Sequence, residues 1–163
     1  MKTEKEAIAI LEEMILDEQR SKYPSVPEKA RFVPDLKLKT ANGLTKGVML
    51  FINLSGGFAE RTGNQGRFLL PTSYTNVFNK KVQLKAGKWI KGTGTNGTAD
   101  VHGVFHGISL AIEIKIGRDT QSDAQKAYRK RFEAAGGVYI IAKVFGQFYN
   151  DFQERFKEKK AAI

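Results

Sequence analysis

Residues 97 to 115 read GTADVHGVFHGISLAIEIK, and this stretch decides the fold. The dipeptide His106-Gly107 separates two largely apolar runs, a pattern that predicts two strands joined by a tight turn. Because side chains alternate along a strand, the isoleucines beside Glu113 are expected to face the core, whereas Glu113 and Lys115 share the opposite face. The stretch therefore predicts a β-hairpin that carries two charged side chains on one face.

A second carboxylate stands at the start of this hairpin. Asp100 begins the first strand, so close pairing of the two strands would bring its carboxylate toward Glu113. Two carboxylates at one point suit a hard cation such as Mg²⁺ or Mn²⁺, which takes one or two protein carboxylates and keeps several waters. A charge in an apolar run is costly unless it is compensated, and a metal, a lysine and water would compensate it. The alternative is that Glu113 and Lys115 form an ordinary ion pair on an exposed sheet face.

The N-terminal segment has a different pattern. Residues 3 to 20 place apolar residues at helical spacing, and Thr3 with Glu6 fits a capping box. Three prolines follow between residues 24 and 34 and indicate a linker. We expect residues 1 to 36 to form an extension that docks on the core or on a second subunit, and residues 37 to 163 to form the main domain.

The remaining elements alternate between helices and strands. Helices are predicted at 40 to 54 and 121 to 135, strands and loops at 58 to 96, and an apolar strand at 138 to 145. A last helix carries phenylalanines at four-residue intervals. This order predicts an α/β fold with a central mixed sheet flanked by helices.

The basic charge is concentrated in one part of the chain. Residues 37 to 99 hold ten Lys and Arg against one acidic residue, in a chain whose net charge is +10. Such a segment is typical of proteins that bind a polyanion, most often nucleic acid. The alternative is a solvated basic surface. The glycines of residues 87 to 97 do not form a phosphate-binding loop, because no Gly-Lys-Ser/Thr follows them.

The composition excludes several protein classes. The chain has no cysteine, which excludes disulfides and thiolate zinc sites. No apolar run approaches membrane-spanning length, and no signal-peptide pattern is present. We expect a soluble cytoplasmic protein.

The spacing of three motifs resembles a known nuclease family. Gly97-Thr98-Ala99-Asp100 is followed by Glu113-Ile114-Lys115 and then by Ser122-x-x-Gln125 on a predicted helix. This series resembles the virus-type replication-repair nuclease (VRR-NUC) family of the PD-(D/E)XK superfamily. The resemblance implies a restriction-endonuclease-like core and a Mg²⁺- or Mn²⁺-dependent DNA endonuclease, with branched or junction DNA as a substrate class. A non-catalytic nucleic-acid-binding module that retains the fold is the alternative.

The resemblance also implies residue roles. Asp100 and Glu113 would bind the metal together with the carbonyl of Ile114, and Lys115 would orient the attacking water or neutralise developing charge. Gln125 would line the site from its helix. Its alternative role is local, since Ser122 and Gln125 also fit a capping box.

The sequence departs from the family pattern at two places. Ala99 stands where the family usually has proline, which affects strand rigidity more than chemistry. Residues 40 to 54 contain no acidic residue, and Asn42 is the nearest polar candidate, so one metal ion is expected rather than two.

Three basic residues are candidate phosphate contacts, because their segment would flank the metal face: Arg61, Arg67 and Lys91. A homodimer is also expected, since a nuclease that acts on two strands gains from two sites and the first helix has an apolar stripe to bury. Tyr128 is either a core residue, which we favour, or a substrate-facing one, and His102 and His106 are left out of the catalytic set.

Overall fold

The computed structural model describes residues 1–63, 67–90 and 94–160. Its helices are α1 (Glu4–Lys22), α2 (Ala41–Leu54), α3 (Asp123–Ala134) and α4 (Phe145–Lys160), with one 3₁₀ turn at Glu28–Ala30. Its strands are β1 (Phe58–Arg61), β2 (Arg67–Leu69), β3 (Thr72–Thr75), β4 (Lys81–Lys85), β5 (Lys88–Ile90), β6 (Val101–Phe105), β7 (Ile108–Ile114) and β8 (Val138–Ala142). The fold is mixed α/β, as the sequence predicts.

The central sheet has four strands in the order β1-β6-β7-β8. β1 pairs antiparallel with β6 and β6 with β7, whereas β7 and β8 are parallel, so the sheet is mixed. His106 and Gly107 join β6 to β7 with φ angles of 48° and 75°. Positive φ at both positions is typical of the two-residue turn that matches strand twist, and the predicted hairpin is confirmed.

Helices cover both faces of the sheet. Ile112 and Ile114 of β7 belong to a large core shared with α1, α2 and α4. On the opposite face, α3 packs Tyr128 and Phe132 against a smaller cluster that includes Tyr139 of β8. The sheet is therefore a middle layer, and the side chains of β7 alternate between the two cores.

The large core is rich in aromatic residues. Phe51 of α2 makes edge-to-face contacts with four rings of α4, at centroid distances from 5.4 to 6.0 Å. Burial of such rings contributes hydrophobic free energy and specific ring geometry together. The phenylalanines predicted on one face of the last helix are buried: Phe148, Phe152 and Phe156.

Helix α1 lies in this same core. Thr3 and Glu6 form the predicted capping box, and Ala7, Leu11 and Ile15 are buried against α2 and α4. The carboxylate of Glu4 accepts a hydrogen bond from the backbone N–H of Gly146, at the start of α4. The apolar stripe of α1 is covered within the chain, so it no longer supports the expected homodimer.

One predicted boundary is wrong. The strand expected at 138 to 145 ends at Ala142, and α4 begins at Phe145. The side chain of Gln147 accepts a hydrogen bond from the backbone N–H of Lys143 and donates one to the carbonyl of Ile141. These bonds accompany the end of the strand, although apolar Val144 and Phe145 follow Lys143 in the sequence.

Residues 67 to 90, which lie between β1 and β6 in the chain, form a separate antiparallel arm. β3 pairs with β4, and β2 pairs with β5, so residues 67 to 90 make two successive two-stranded ladders. No side chain described in this segment is buried. Across the described residues, no helix is long and apolar enough to cross a membrane.

Candidate active site

The predicted site residues meet at one edge of the central sheet, where β7 ends and β6 begins. Asp100 precedes β6, and its Oδ2 accepts a hydrogen bond of 2.9 Å from the backbone N–H of Ile114. The N–H and C=O of one strand residue point toward the same neighbouring strand. The carbonyl of Ile114 therefore lies on the side of β7 where Asp100 is held.

Glu113 is the most buried charged side chain of this edge, with 1% of its surface exposed. Its Oε1 accepts hydrogen bonds from Lys115 Nζ at 3.0 Å and from Gln125 Nε2, and its Oε2 accepts one from the Tyr139 hydroxyl at 3.3 Å. Burial raises the pKa of Glu113, and the charge of Asp100 raises it further, against the opposing effects of Lys115 and Tyr139. The site thus holds a carboxylate that its surroundings only partly compensate.

Lys115 is buried beside Glu113. Its ammonium group lies 3.0 Å from Glu113 Oε1 and 3.3 Å from Asp119 Oδ2. Burial lowers the pKa of Lys115, but the hydrogen bonds and charges of the two carboxylates outweigh it and raise the pKa overall. Lys115 is therefore a cation at neutral pH, so it can donate hydrogen bonds and stabilise negative charge.

Gln125 has both of the roles that the sequence left as alternatives. Its Oε1 accepts a hydrogen bond of 2.9 Å from the backbone N–H of Ser122, while its own N–H donates to the Ser122 hydroxyl at 3.3 Å. This is the predicted capping box. The Nε2 of the same amide donates to Glu113, so one end of the side chain caps α3 and the other contacts the site.

The loop before Asp100 is packed against the start of α3. Gly97 has a φ of 79°, and a Cβ at this position would overlap the backbone of Ala124. Only glycine combines this backbone angle with so close an approach. The glycine of the quoted motif thereby sets the distance between the Asp100 edge and the helix that carries Gln125.

Two residues of the site were not identified from the sequence. Tyr139 is buried, pairs in register with Ala111, and receives a hydrogen bond from Gln121 while it donates to Glu113. Burial raises its pKa, so the hydroxyl keeps its proton at neutral pH. Asp119, the other missed residue, lies four positions after Lys115, and only that spacing could have indicated it.

His102 and Tyr128 form a pair beside the site. His102 Nε2 and the Tyr128 hydroxyl are 3.1 Å apart, and both rings pack near Phe132. Burial lowers the pKa of His102, which favours the neutral ring. These contacts agree with the core interpretation of Tyr128, and His106 lies exposed in its turn.

The three basic candidates are not all brought to this edge. Arg61 ends β1, and the backbone N–H of the next residue donates to the carbonyl of Asp100. However, Arg61 is paired with Val101 in the strand register. Its side chain donates a hydrogen bond to Asn42 of α2, on the sheet face opposite Glu113. Arg67 begins β2, but its side chain lies outside the described residues, as does the whole of Lys91.

The donor set of the edge fits a hard divalent cation in kind. Asp100 and Glu113 supply carboxylates and Ile114 supplies a carbonyl, which are the ligand types that Mg²⁺ and Mn²⁺ prefer. Among the described residues, no group of three or more His, Cys, Asp or Glu could hold a metal.

No family model matches the sequence, and no curated protein matches it. The resemblance to the VRR-NUC family therefore depends on the motif residues alone.

Proposed function

We propose that this chain is a metal-dependent DNA endonuclease of the VRR-NUC type, with a restriction-endonuclease-like core. The observation that carries the proposal is the meeting of Asp100, Glu113 and Lys115 at one sheet edge, with Gln125 bonded to Glu113. The mixed sheet with helices on both faces is compatible with that core. Branched or junction DNA as the substrate follows from the family resemblance only.

The chain offers a defined set of ligands for the ion. Asp100, Glu113 and the Ile114 carbonyl would hold Mg²⁺ or Mn²⁺. A bound divalent ion supplies Lewis acidity toward a phosphoryl oxygen and lowers the pKa of bound water. The raised pKa of Glu113 supports this role, because a buried carboxylate beside another carboxylate is a place where a cation binds favourably.

The hydrogen bonds around Glu113 hold its carboxylate in one orientation. Gln125 donates to Oε1 and Tyr139 donates to Oε2, so both oxygens are fixed by side chains from different elements. Ligands that are fixed by surrounding hydrogen bonds do not have to reorganise when the ion or the substrate arrives. Gln125 and Tyr139 are thus positioning residues in this proposal.

Lys115 provides positive charge where negative charge develops. Because its pKa is raised, the ammonium group is protonated at neutral pH and cannot act there as a general base. It can donate a hydrogen bond to the attacking water or to a phosphate oxygen of the pentacovalent transition state. Such preorganised donors contribute to catalysis because they are already oriented.

The second candidate is a nucleic-acid-binding module without catalysis. The basic segment at 37 to 99 favours it, since charge of this kind serves binding whether or not a bond is cleaved. The two candidates predict the same affinity for DNA in EDTA and differ when a divalent ion is added.

A metal titration with end-labelled DNA tests the proposal. The panel contains single-stranded, duplex, flap and four-way DNA, each incubated with protein and increasing Mg²⁺ or Mn²⁺. The proposal predicts cleavage of at least one substrate that depends on the ion and stops with EDTA. Binding of the panel without cleavage at any ion concentration would support the non-catalytic module instead.

A further inference from the structure

The arm formed by residues 67 to 90 lies between two strands of the candidate site's sheet edge in the chain order. It follows β1, which ends at Arg61, and precedes Asp100 at the start of β6. The backbone of Thr62 is hydrogen-bonded to the carbonyl of Asp100. Both connections of the arm therefore start from the sheet edge that carries the site.

The arm exposes aromatic side chains between basic ones. Phe68, Tyr74, Phe78 and Trp89 have from 49% to 79% of their surface exposed. The sequence from 67 to 90 also contains five Lys and Arg and no acidic residue. Exposed aromatic rings that alternate with cations are suited to stacking with bases and to contacts with phosphates.

The turn at the tip of the arm is built to expose apolar residues. Asn76 Oδ1 accepts hydrogen bonds from the backbone N–H groups of Phe78 and Lys80, both at 3.0 Å. The N–H of Asn76 donates to the carbonyl of Lys80, and Asn79 adopts a φ of 55°. These bonds hold the turn while Val77 and Phe78 remain 94% and 79% exposed.

Charge decides which partner fits this surface. An apolar patch for a second protein chain is normally depleted in lysine, whereas this arm carries lysine in β4 and in β5. Paired bases in a duplex hide their faces, whereas unpaired bases present them to aromatic side chains. The combination of exposed rings and uncompensated positive charge favours a single-stranded nucleic acid.

We propose that the arm binds single-stranded DNA, with Tyr74, Phe78 and Trp89 stacking on unpaired bases and its lysines contacting the phosphates. The strand would enter the candidate site from the arm. As a statement about substrate, this inference rests on the proposed nuclease function: the DNA that is cleaved contains an unpaired segment next to the scissile bond. As a statement about binding, it is independent of cleavage.

The single tryptophan of the chain makes the binding directly measurable. Trp89 fluorescence is recorded while full-length protein in EDTA is titrated with oligothymidine or with a duplex of equal length. We expect oligothymidine to quench Trp89 and to bind more tightly than the duplex. Phe78→Ala and Tyr74→Ala should each weaken oligothymidine binding by about 5-fold to 150-fold, the range for one stacked base.

Matched variants separate stacking from general effects. Phe32→Ala removes an equally exposed ring outside the arm and should leave the affinity unchanged. Lys81→Ala should reduce the salt dependence of binding by about 0.7 in the slope of log K against log salt, as expected for one phosphate contact on a single strand. Circular dichroism is used to check that each variant remains folded.

The outcomes decide the two proposals separately. Unchanged oligothymidine affinity in both Phe78→Ala and Tyr74→Ala would overturn the arm proposal, even if the parent cleaves DNA. A change from dimer to monomer in Phe78→Ala with unchanged DNA affinity would also overturn it, because the arm would then contact a second copy. If the two variants lose single-strand binding selectively and the parent protein never cleaves DNA, the result would support the arm proposal and contradict the nuclease proposal.

Discussion

The two ends of the Gln125 amide can be tested separately by substitution. Gln125→Glu keeps an Oε atom that can accept from the Ser122 N–H, but it replaces the Nε2 donor with a second carboxylate facing buried Glu113. Ser122→Ala removes the hydroxyl that accepts from the Gln125 N–H and leaves the contact with Glu113 in place. Gln125→Ala removes both interactions.

The magnitudes follow from the contacts. Loss of the capping hydroxyl in Ser122→Ala costs about 1 kcal/mol. Gln125→Ala also loses a hydrogen bond to a charged group, worth about 1.5–3 kcal/mol. In Gln125→Glu, two carboxylates about 4 Å apart repel with about 4 kcal/mol at an effective dielectric constant of 20, and partial rotation of the new side chain reduces this to about 2–4 kcal/mol.

Thermal unfolding by circular dichroism, in EDTA at pH 7.5, measures these differences. For a chain of this length each kcal/mol lowers Tm by about 2–4 °C. Gln125→Glu should therefore unfold about 5–15 °C below the parent, and Ser122→Ala only about 2–4 °C below it. Because neighbouring carboxylates raise each other's pKa, the deficit of Gln125→Glu should shrink as the pH falls toward about 4.

One result would refute the reasoning. If Gln125→Glu unfolds at the parent temperature at pH 7.5, its carboxylate does not face that of Glu113. The amide of Gln125 would then be a helix cap alone, and its assignment as a positioning residue would be wrong.

Three further predictions concern stability and can be measured by the same thermal unfolding. Gly97→Ala should cost more than Gly56→Ala, because both glycines have φ near 80° but only a Cβ at position 97 would overlap neighbouring backbone; equal losses would contradict the close approach to α3. Because burial raises the pKa of Glu113, Glu113→Gln should unfold above the parent in EDTA at neutral pH, with a gain that disappears below roughly pH 4.5; a lower Tm at neutral pH would contradict this. Phe51→Ala should lose about 3–5 kcal/mol, whereas Phe32→Ala should stay within about 0.5 kcal/mol of the parent.

Local patterns were sufficient to predict the hairpin and the starts of α1 and α3. The turn dipeptide His106-Gly107 and the alternation around Glu113 specify β6 and β7 without reference to the rest of the chain. The capping boxes at Thr3 and Ser122 are equally local, since each involves residues three positions apart. Turns, strand alternation and helix caps each depend on a few neighbouring residues, so a single sequence is enough to predict them.

Contacts between distant segments could not be predicted in this way. Tyr139 reaches Glu113 only because β8 lies parallel to β7, in a register that sets Ile141 beside Glu113. That register joins segments far apart in the sequence, and no local pattern specifies it. Val144 and Phe145 likewise predict a longer strand, but the strand ends at Ala142, where the side chain of Gln147 hydrogen-bonds to the backbone.

The dual role of Gln125 shows a different limit. The sequence offered helix capping and site contact as alternatives, because Ser-x-x-Gln is consistent with either. The amide has an acceptor at one end and a donor at the other, so the two roles do not exclude each other. Only the placement of α3 over β7 brings both partners within reach.

The most direct test of the central proposal compares cleavage with binding in two variants. Asp100→Asn keeps the shape of the side chain but removes the charge that a hard cation requires, and Lys115→Met keeps much of the stem but removes the ammonium group. Both residues lie outside the basic segment at 37 to 99. On a DNA substrate that the parent cleaves with Mg²⁺ or Mn²⁺, both variants should lose cleavage, while their DNA affinity in EDTA stays within a few-fold of the parent. Cleavage at the parent rate by both variants would contradict the assignment of this sheet edge as a nuclease active site.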